Sequence, residues 1–273
     1  MRELDKSTQS SHMTSATYRS DSPSVPGVAL GILRLGLGLP IVVLGSIITV
    51  VLSLWPLRFR DSTLAAWVAT VCCRVLLWVF GVQFDCPAHP QLRTHQGFVF
   101  ANHSSYADVF LPMAIRPMRF LAAQEYLAWP FFGWAAKAAG AIGVDRSSTR
   151  SRAQSLLSLA KLERTPPIGL FPEGGIGPLY ELQPFYHGVF KLCVENQIPY
   201  ALCTIVYNEV DVLGWRNEHV AVAIWRLVTQ TRLQRARLEV LQIHTPSPEA
   251  NPRQLAVEAH RAVAACLGYA AKM

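Results

Sequence analysis

The sequence predicts an α/β protein with a mixed sheet flanked by helices, preceded by an N-terminal membrane-embedded helical segment. From residue 97 onward, short apolar runs alternate with longer stretches of helical periodicity, a pattern typical of an α/β domain. Before that point, residues 35–57 form a stretch of 23 residues without a charge. A helix of that length can cross a bilayer.

The composition favours association with a membrane. Hydrophobic residues make up 51% of the 273 residues and charged residues only 16%, below the quarter typical of soluble domains. The net charge of +7 suits an anionic membrane or a phosphate-bearing ligand. No nucleic-acid partner is expected, because no matching fold signature or Cys/His metal module is present. The six cysteines form no CxxC pair, so no metal site is predicted.

The N-terminal part divides into a tail and an anchor. Residues 1–26 are polar and rich in Ser and Thr, which predicts a disordered tail. Residues 27–84 are predicted to form a membrane-anchoring helical region. The first half of this stretch contains Gly36, Gly38, Pro40 and Gly45, which fit a spanning helix or a bent re-entrant pair. A buried helix of a soluble core is the alternative. Arginines flank both ends, so the positive-inside rule gives no orientation.

A second apolar segment, residues 64–82, carries tryptophans suited to a membrane interface. This pattern predicts an amphipathic helix in the headgroup region. A helix packed against the following domain fits the same pattern equally well. The predicted domain boundary lies near residue 85, and residues 85–273 form the α/β domain.

Within this domain the pattern predicts six strands and five helices. The strands are 97–101, 119–123, 140–144, 167–171, 200–206 and 236–243. The helices are 105–115, 127–139, 148–163, 186–196 and 252–267. Proline and glycine near several predicted helix ends support these limits.

The stretch from Phe98 to Asp108 is the first candidate site. An apolar strand ends in Asn-His, and an aspartate follows His103 by five residues. Ser104 or Ser105 can cap a following helix, so a strand-to-helix turn can bring the imidazole and the carboxylate together. The carboxylate would then fix the imidazole tautomer and raise its basicity. The alternative is a buried histidine beside a helix cap.

The second candidate stretch runs from Ile168 to Gly175, where a buried strand ends in Pro-Glu-Gly-Gly. Gly174 and Gly175 allow the backbone to approach a ligand and to present N–H groups to an anion. Glu173 can accept hydrogen bonds from a hydroxyl or an arginine. Between the two stretches, Arg146 follows an apolar strand, and its guanidinium suits bidentate phosphate binding. A surface ion pair is the alternative for this arginine.

Taken together, these stretches resemble the blocks of a known family. Four motifs occur in the order of the four blocks of the glycerolipid acyltransferases: NHSSYAD, GAIGVDR, FPEGG and IPYALCTIV. This family includes the 1-acylglycerol-3-phosphate and other lysophospholipid acyltransferases. The resemblance runs from about residue 30 to residue 210, and an HxxxxD motif followed about seventy residues later by FPEG is a specific signal.

The resemblance implies roles for individual residues. His103 matches the family's catalytic base, and Asp108 matches the carboxylate that orients it. Arg146 matches the arginine linked to the acceptor's phosphate. Glu173 and Gly174 match the FPEG residues linked to acceptor binding.

Several positions depart from the family pattern. Gly175 stands where many members have Thr, and residues 176–178 replace an Arg-Ser region. Gln124 occupies a position that is often Lys in lysophosphatidic acid acyltransferases. Two phosphate-attracting groups are thus missing, with Lys137 and Arg119 as candidate helpers. A lysophospholipid with a larger head group, or a lyso-aminolipid such as lyso-ornithine lipid, becomes an alternative acceptor.

The resemblance implies an O-acyltransferase of membrane lipid synthesis. A fatty acyl group would pass from acyl-CoA or acyl-carrier protein to the free hydroxyl of a lysophospholipid, with His103 taking the hydroxyl proton. No further cofactor and no acyl-enzyme are expected, and no G-x-S-x-G elbow is present. The enzyme is expected at the membrane with its catalytic domain facing the reducing cytoplasm. A non-catalytic, membrane-anchored lipid-binding protein is the rival hypothesis.

Overall fold

The computed structural model describes residues 22–144 and 158–269. Its strands are β1 (Arg58–Phe59), β2 (Ser62–Thr63), β3 (Val82–Asp85), β4 (Phe98–Phe100), β5 (Arg119–Ala123), β6 (Ile142–Val144), β7 (Ile168–Leu170), β8 (Tyr200–Tyr207) and β9 (Gln234–His244). Its helices are α1 (Val25–Ser53), α2 (Leu64–Val79), α3 (His89–Thr94), α4 (Phe110–Ile115), α5 (Gln124–Leu127), α6 (Phe132–Ala138), α7 (His187–Glu195), α8 (Val210–Leu213), α9 (Val220–Val228) and α10 (Pro252–Leu267).

Seven of these strands form one mixed sheet, in the order β3-β9-β8-β4-β7-β5-β6. β8 and β9 run antiparallel, and the other neighbouring strands are parallel. β1 and β2 form a separate hairpin between α1 and α2. The predicted fold class, a mixed sheet flanked by helices and preceded by an apolar helix, is confirmed.

The predicted elements agree closely with the observed ones. All six predicted strands are present, with ends that differ by at most two residues. Helices 186–196 and 252–267 correspond to α7 and α10. The predicted helix 127–139 is instead two short helices, α5 and α6, on either side of a proline. Of the predicted helix 148–163, residues 158–160 are helical, whereas residues 148–157 lie outside the described residues.

Six elements of the described residues were not predicted, namely β1, β2, β3, α3, α8 and α9. α2 ends at Val79, and Gly81 adopts a φ of +76°, a conformation that favours glycine. The chain thereby reverses into β3, which pairs with β9. The sheet therefore begins three residues before the expected boundary at residue 85, and the division into domains stays a prediction.

The sheet is buried on both faces, as its apolar strands require. On β4, Phe98 and Phe100 pack into a cluster with side chains of α7 and α10. Val99 and Ala101 point the other way, into a cluster with side chains of α2 and α4. This alternation holds the end of β4 between two close-packed layers. The residues that follow β4 therefore start from a rigid position.

α1 and α2 form a tightly packed antiparallel pair. A Cβ on Gly45 would lie 2.5 Å from the Cys72 sulfur, and one on Gly38 would lie 2.5 Å from the Phe80 ring. By length and composition alone α1 could cross a membrane, since an 18-residue window has a mean hydropathy of 2.5 and is 22% buried. Its exposed apolar surface consists mainly of Ile32, Leu33, Leu37, Leu39, Leu44, Ile47, Ile48 and Val51.

Buried arginines fasten both ends of this pair to the rest of the fold. Near the start of α1, Arg34 donates to the carbonyl oxygens of Val228 (2.9 Å) and Gln230 (2.7 Å), at the end of α9. At the other end, Arg116 pairs with Asp61 in the hairpin. The same guanidinium donates to three backbone carbonyls in and after α3. The helix pair is therefore packed against the sheet and its helices rather than joined to them by a free linker.

Candidate active site

The two predicted site stretches meet at one edge of the sheet. β4 and β7 are parallel neighbours, with Phe100 opposite Leu170. His103 lies three residues beyond the end of β4, and Glu173 lies three residues beyond the end of β7. The carboxyl ends of parallel strands share one edge, so the strand pairing brings these side chains together.

His103 and Asp108 form the predicted pair. The imidazole Nδ1 lies 2.9 Å from Asp108 Oδ2, and the carboxylate is fully buried while the histidine side chain is 12% exposed. A carboxylate accepts the Nδ1 hydrogen, so Nε2 is left with the lone pair of a base. The expectation that a strand-to-helix turn would bring the two together is confirmed.

Asp108 also organises the turn that carries the histidine. Its Oδ2 accepts hydrogen bonds from the backbone N–H groups of Ser104 (2.7 Å) and Ser105 (2.8 Å). The Ser105 hydroxyl accepts from the Ala107 N–H at 3.0 Å, so serine and aspartate form a capping box around a 3-10 turn, Tyr106–Val109. The expected helix 105–115 is therefore this turn followed by α4. Asp108 is at once a cap and a partner of the base.

Glu173 supports the backbone of His103. Its Oε1 accepts from the His103 N–H at 2.6 Å and its Oε2 from the Gln183 N–H at 2.9 Å. Burial raises the pKa of Glu173 to about 8, against the opposing effect of the two N–H bonds, and nearby Asp108 adds to the rise. Both carboxylate oxygens are thus engaged within the protein. The expected role of Glu173 in acceptor binding stays a prediction.

An aromatic stack covers one face of the imidazole. The Phe171 ring lies 3.9 Å from the His103 ring, centroid to centroid, and the planes differ by 12°. Phe171 in turn stacks on Phe120 at 5.7 Å. With Asp108 on Nδ1 and Phe171 on its face, the imidazole is restrained in position and tilt.

The glycine turn after Glu173 needs its glycines for close approach. Gly174 has a φ of +78°, and a Cβ there would lie 2.8 Å from the Tyr186 ring. Its N–H donates to the Phe171 carbonyl at 2.9 Å, and the Gly177 N–H donates to the His103 carbonyl at 2.7 Å. These two N–H groups hold the turn itself. Anion binding by Gly174 and Gly175 therefore stays a prediction.

A cavity of about 250 Å³ opens beside His103. Its polar lining comes mainly from His103, Glu173, Tyr180, Glu181, Tyr207 and Tyr269. Among residues 22–144 and 158–269, no lysine or arginine lines this cavity. Leu267, the last residue of α10, and Tyr269, two residues after it, also line the cavity. A C-terminal part of the chain beyond the family blocks therefore contributes to the site.

The predicted cationic residues take different positions. Arg146 lies outside the described residues. Arg119 is at the amino end of β5, and its guanidinium donates to the carbonyls of Glu163 and Pro166. The expectation that Arg119 helps at the site is wrong, because the site is at the opposite ends of the strands. Lys137 lines a separate cavity of about 420 Å³ together with Gln124.

Some site residues were missed by sequence reasoning. Tyr207, at the end of β8, donates its hydroxyl to Asp108 Oδ1. Asn102 ties the end of β4 to β8, since its side chain accepts from the Ile205 N–H (2.7 Å) and donates to the Ile205 carbonyl (3.1 Å). Phe171 is the first residue of the FPEGG motif, so the motif could have indicated it. No signal indicated Tyr207, because only the strand order brings it to Asp108.

Comparison with known proteins agrees with this geometry. The profile of the family described as Acyltransferase matches residues 86–207. A lyso-ornithine lipid O-acyltransferase of Pseudomonas aeruginosa is 34% identical over 189 residues, 67% of each chain. A second, from Rhodobacter capsulatus, is 28% identical over 45% of this chain and 44% of its own length. A 1-acyl-sn-glycerol-3-phosphate acyltransferase of Neisseria gonorrhoeae is 28% identical over 54% and 58%.

The matched region thus spans between 44% and 67% of these curated relatives' lengths. A solved structure, the 1-acyl-sn-glycerophosphate acyltransferase of Thermotoga maritima, superposes with a TM-score of 0.61 over 89% of this chain and 95% of its own. At 16% sequence identity that likeness concerns the fold. The 34% identity over two thirds of a curated relative and the matching profile lead to one conclusion: the chain belongs to the acyltransferase family.

Proposed function

We propose that this protein transfers a fatty acyl group from a thioester donor, acyl-CoA or acyl-carrier protein, to the free hydroxyl of a lysolipid in membrane lipid synthesis. The observation that carries the proposal is the His103–Asp108 pair, 2.9 Å apart, beside a cavity at the carboxyl edge of the sheet. The names of the relatives agree with it. The motif order and the fold of the family add support.

The geometry suits general base catalysis. The lysolipid hydroxyl gives its proton to Nε2 of His103 as its oxygen attacks the thioester carbonyl carbon. The tetrahedral intermediate then collapses, the carbon–sulfur bond breaks, and the imidazolium returns the proton to the leaving thiolate. Asp108 stabilises the transient imidazolium. The Phe171 ring, stacked at 3.9 Å, offers its face to the same positive charge.

A second acceptor class is favoured by the cavity lining. Two carboxyl groups and three phenols face the cavity, and no lysine or arginine of the described residues does so. A phosphomonoester carries nearly two negative charges at neutral pH and would meet carboxyl groups and phenols there, with no lysine or arginine of the described residues to pair with. An ammonium group would find hydrogen-bond acceptors and aromatic faces. Lyso-ornithine lipid is therefore the second candidate acceptor, and lysophosphatidic acid is not expected to be the only good one.

We also propose that the exposed apolar surface of α1 lies in the membrane, with the catalytic domain on the cytoplasmic side. Large apolar side chains cover that surface. The cysteines of the described residues are free thiols, which agrees with a reducing compartment. Such a position brings the acceptor, which is itself a membrane lipid, next to the cavity.

A panel of donors and acceptors tests these proposals. Purified protein in mixed micelles is given acyl-CoA or acyl-carrier protein together with lysophosphatidic acid, lysophosphatidylcholine, lysophosphatidylethanolamine or lyso-ornithine lipid. We expect acylation by the wild type, and a loss of about 10²–10⁴-fold in His103→Ala, the usual effect of removing a general base. The variant should still bind membranes.

Two results would count against the proposals. If no acceptor is acylated with either donor, the non-catalytic lipid-binding hypothesis replaces the enzyme. If lysophosphatidic acid alone is acylated, the cavity lining does not select the acceptor, and the second candidate is wrong.

A further inference from the structure

The hydroxyl of Tyr207 completes the hydrogen bonding of the buried Asp108 carboxylate. Oδ2 already accepts three hydrogen bonds, from His103 Nδ1 and from the Ser104 and Ser105 N–H groups. Oδ1 accepts from the Tyr207 hydroxyl. Asp108 is 0% exposed and Tyr207 is 6% exposed. A buried carboxylate oxygen without a partner carries a large desolvation cost, which this phenol removes.

The phenol can only act as a neutral donor here. Burial and the neighbouring Asp108 carboxylate both raise the pKa of Tyr207 well above its ordinary value. The hydroxyl therefore keeps its proton at neutral pH. A neutral donor on Oδ1 draws part of the carboxylate's charge away from Oδ2, the oxygen that contacts the imidazole.

We propose that Tyr207 is a positioning residue of the acyl-transfer reaction. It holds Asp108 in the rotamer that orients His103 and takes up part of the carboxylate charge that faces the imidazole. The inference rests on the proposed function for its kinetic consequence. The hydrogen-bonded chain from Tyr207 through Asp108 to His103 does not depend on it.

The direction of the effect follows from the charges. Without the Tyr207 hydroxyl, the full carboxylate charge acts on the imidazole and favours its protonated form. A larger fraction of the base is then already protonated at a given pH. Other titratable groups also face the cavity, namely Glu173, Glu181, Tyr180 and Tyr269. They affect the pH–rate profile of the wild type and of the variant alike. The difference between variant and wild type isolates the contribution of the tyrosine.

The test compares Tyr207→Phe with Tyr200→Phe. Tyr200 is on the same strand and 1% exposed, but it stacks on Phe100 in the opposite cluster. It therefore controls for the loss of a buried phenol. For Tyr207→Phe we expect kcat to fall on the order of tenfold, about one hydrogen bond to a charged group, with the acceptor KM nearly unchanged. The acid limb of the pH–rate profile should move to higher pH.

A second readout does not need activity. The pKa of the His103 imidazole is measured by NMR titration, with its resonance assigned from the spectrum of His103→Ala. We expect a higher value in Tyr207→Phe than in the wild type and in Tyr200→Phe. Incorporation of 3-fluorotyrosine at position 207, a stronger donor, should lower it. This substitution also covers the case in which the phenylalanine variant fails to fold.

The possible outcomes separate the two proposals. If the imidazole pKa moves as expected but no acylation occurs with any acceptor, the positioning role stands and the proposed function fails. If the imidazole pKa and the acid limb are the same in all folded forms, Tyr207 is only a packing residue and the inference is wrong.

Discussion

At the scale of single residues, the site depends on carboxyl groups that serve the backbone and the base together. Asp108 caps the turn that follows His103 and also holds the imidazole. Glu173 accepts the N–H of the same histidine. His103 is thus held both through its ring and through its main chain. A change at either carboxyl group should act on activity through the position of His103.

Glu173→Gln tests this at the glutamate. An amide can present only one acceptor oxygen, so one of the two backbone N–H groups then faces a donor. We expect a stability loss of about 1–3 kcal/mol near pH 6 and a reduced kcat. Thermal unfolding in detergent and acylation rates measure both effects. Glu195→Gln changes an exposed glutamate of α7 that does not line the cavity, and it serves as the control.

The pH dependence of that variant has a definite sign. The pKa of Glu173 rises from an ordinary 4.5 to about 8 in the folded protein. Between these values the unfolded chain releases its proton while the folded chain keeps it, so the stability of the wild type falls as pH rises toward 8. The glutamine variant lacks this titration. The gap in melting temperature should therefore narrow as pH rises from about 4.5 to about 8, and a constant gap would contradict the raised pKa.

Sequence reasoning reached part of this site. The His103–Asp108 pair was predictable because a five-residue spacing and a serine cap define a local turn. The partnership of Glu173 with the His103 backbone, 70 residues away, and of Tyr207 with Asp108, 99 residues away, was not. Such contacts depend on which strands are neighbours, and a single sequence does not give the strand order.

At the scale of elements, a residue inside β7 affects the position of the His103 ring. Gly169 lies opposite Phe120 in the sheet, and a Cβ there would lie 2.2 Å from the Phe120 ring. Phe120 stacks on Phe171, which stacks on His103. A methyl group on this strand would therefore displace a row of three rings.

We expect Gly169→Ala to cost about 1–3 kcal/mol of stability by overpacking and to lower kcat as well. Gly36→Ala is the matched control, because nothing lies within 4 Å of a Cβ at Gly36. Alanine in that helix should be neutral or slightly stabilising. Melting temperature and acylation rate give both comparisons. If the two variants have the same melting temperature and acylation rate, the contact of Gly169 with Phe120 does not affect the position of His103.

Hydrophobic periodicity predicted some helices and strands better than others. α7 and α10 were predicted closely because their apolar faces repeat over several turns and their ends carry cap signals. β3 was not predicted, because four residues carry too little periodicity to mark a new strand. α9 was not predicted either, although it has nine residues, as α7 does.

At the scale of the whole molecule, the exposed apolar surface of α1 is the feature that the fold leaves uncovered. Leu44 is 59% and Ile48 is 48% exposed. The double variant Leu44→Glu/Ile48→Glu should fold, yet lose most of its binding to vesicles, because each charge opposes insertion by about 2–3 kcal/mol. Co-sedimentation with vesicles that contain anionic lipid measures this.

Val257→Glu is the control for that variant, since Val257 is an exposed apolar residue of α10. It should sediment with vesicles as the wild type does. If the double variant also sediments fully, the surface of α1 is not the membrane contact, and α1 would have to act as a helix of the protein core.

Arg34 fastens one end of the helix pair to a backbone carbonyl at the end of α9, and the ion pair between Arg116 and Asp61 fastens the hairpin at the other end. An enzyme on a flexible tether searches a volume that grows with the tether. The helix pair is instead packed against the sheet, so with α1 in the membrane as proposed, the fold would fix the height of the cavity above the bilayer. The protein would then meet its acceptor only in a thin layer of lipid around itself. Its rate should follow the mole fraction of lysolipid in the surface, rather than the amount of lysolipid per volume of solution.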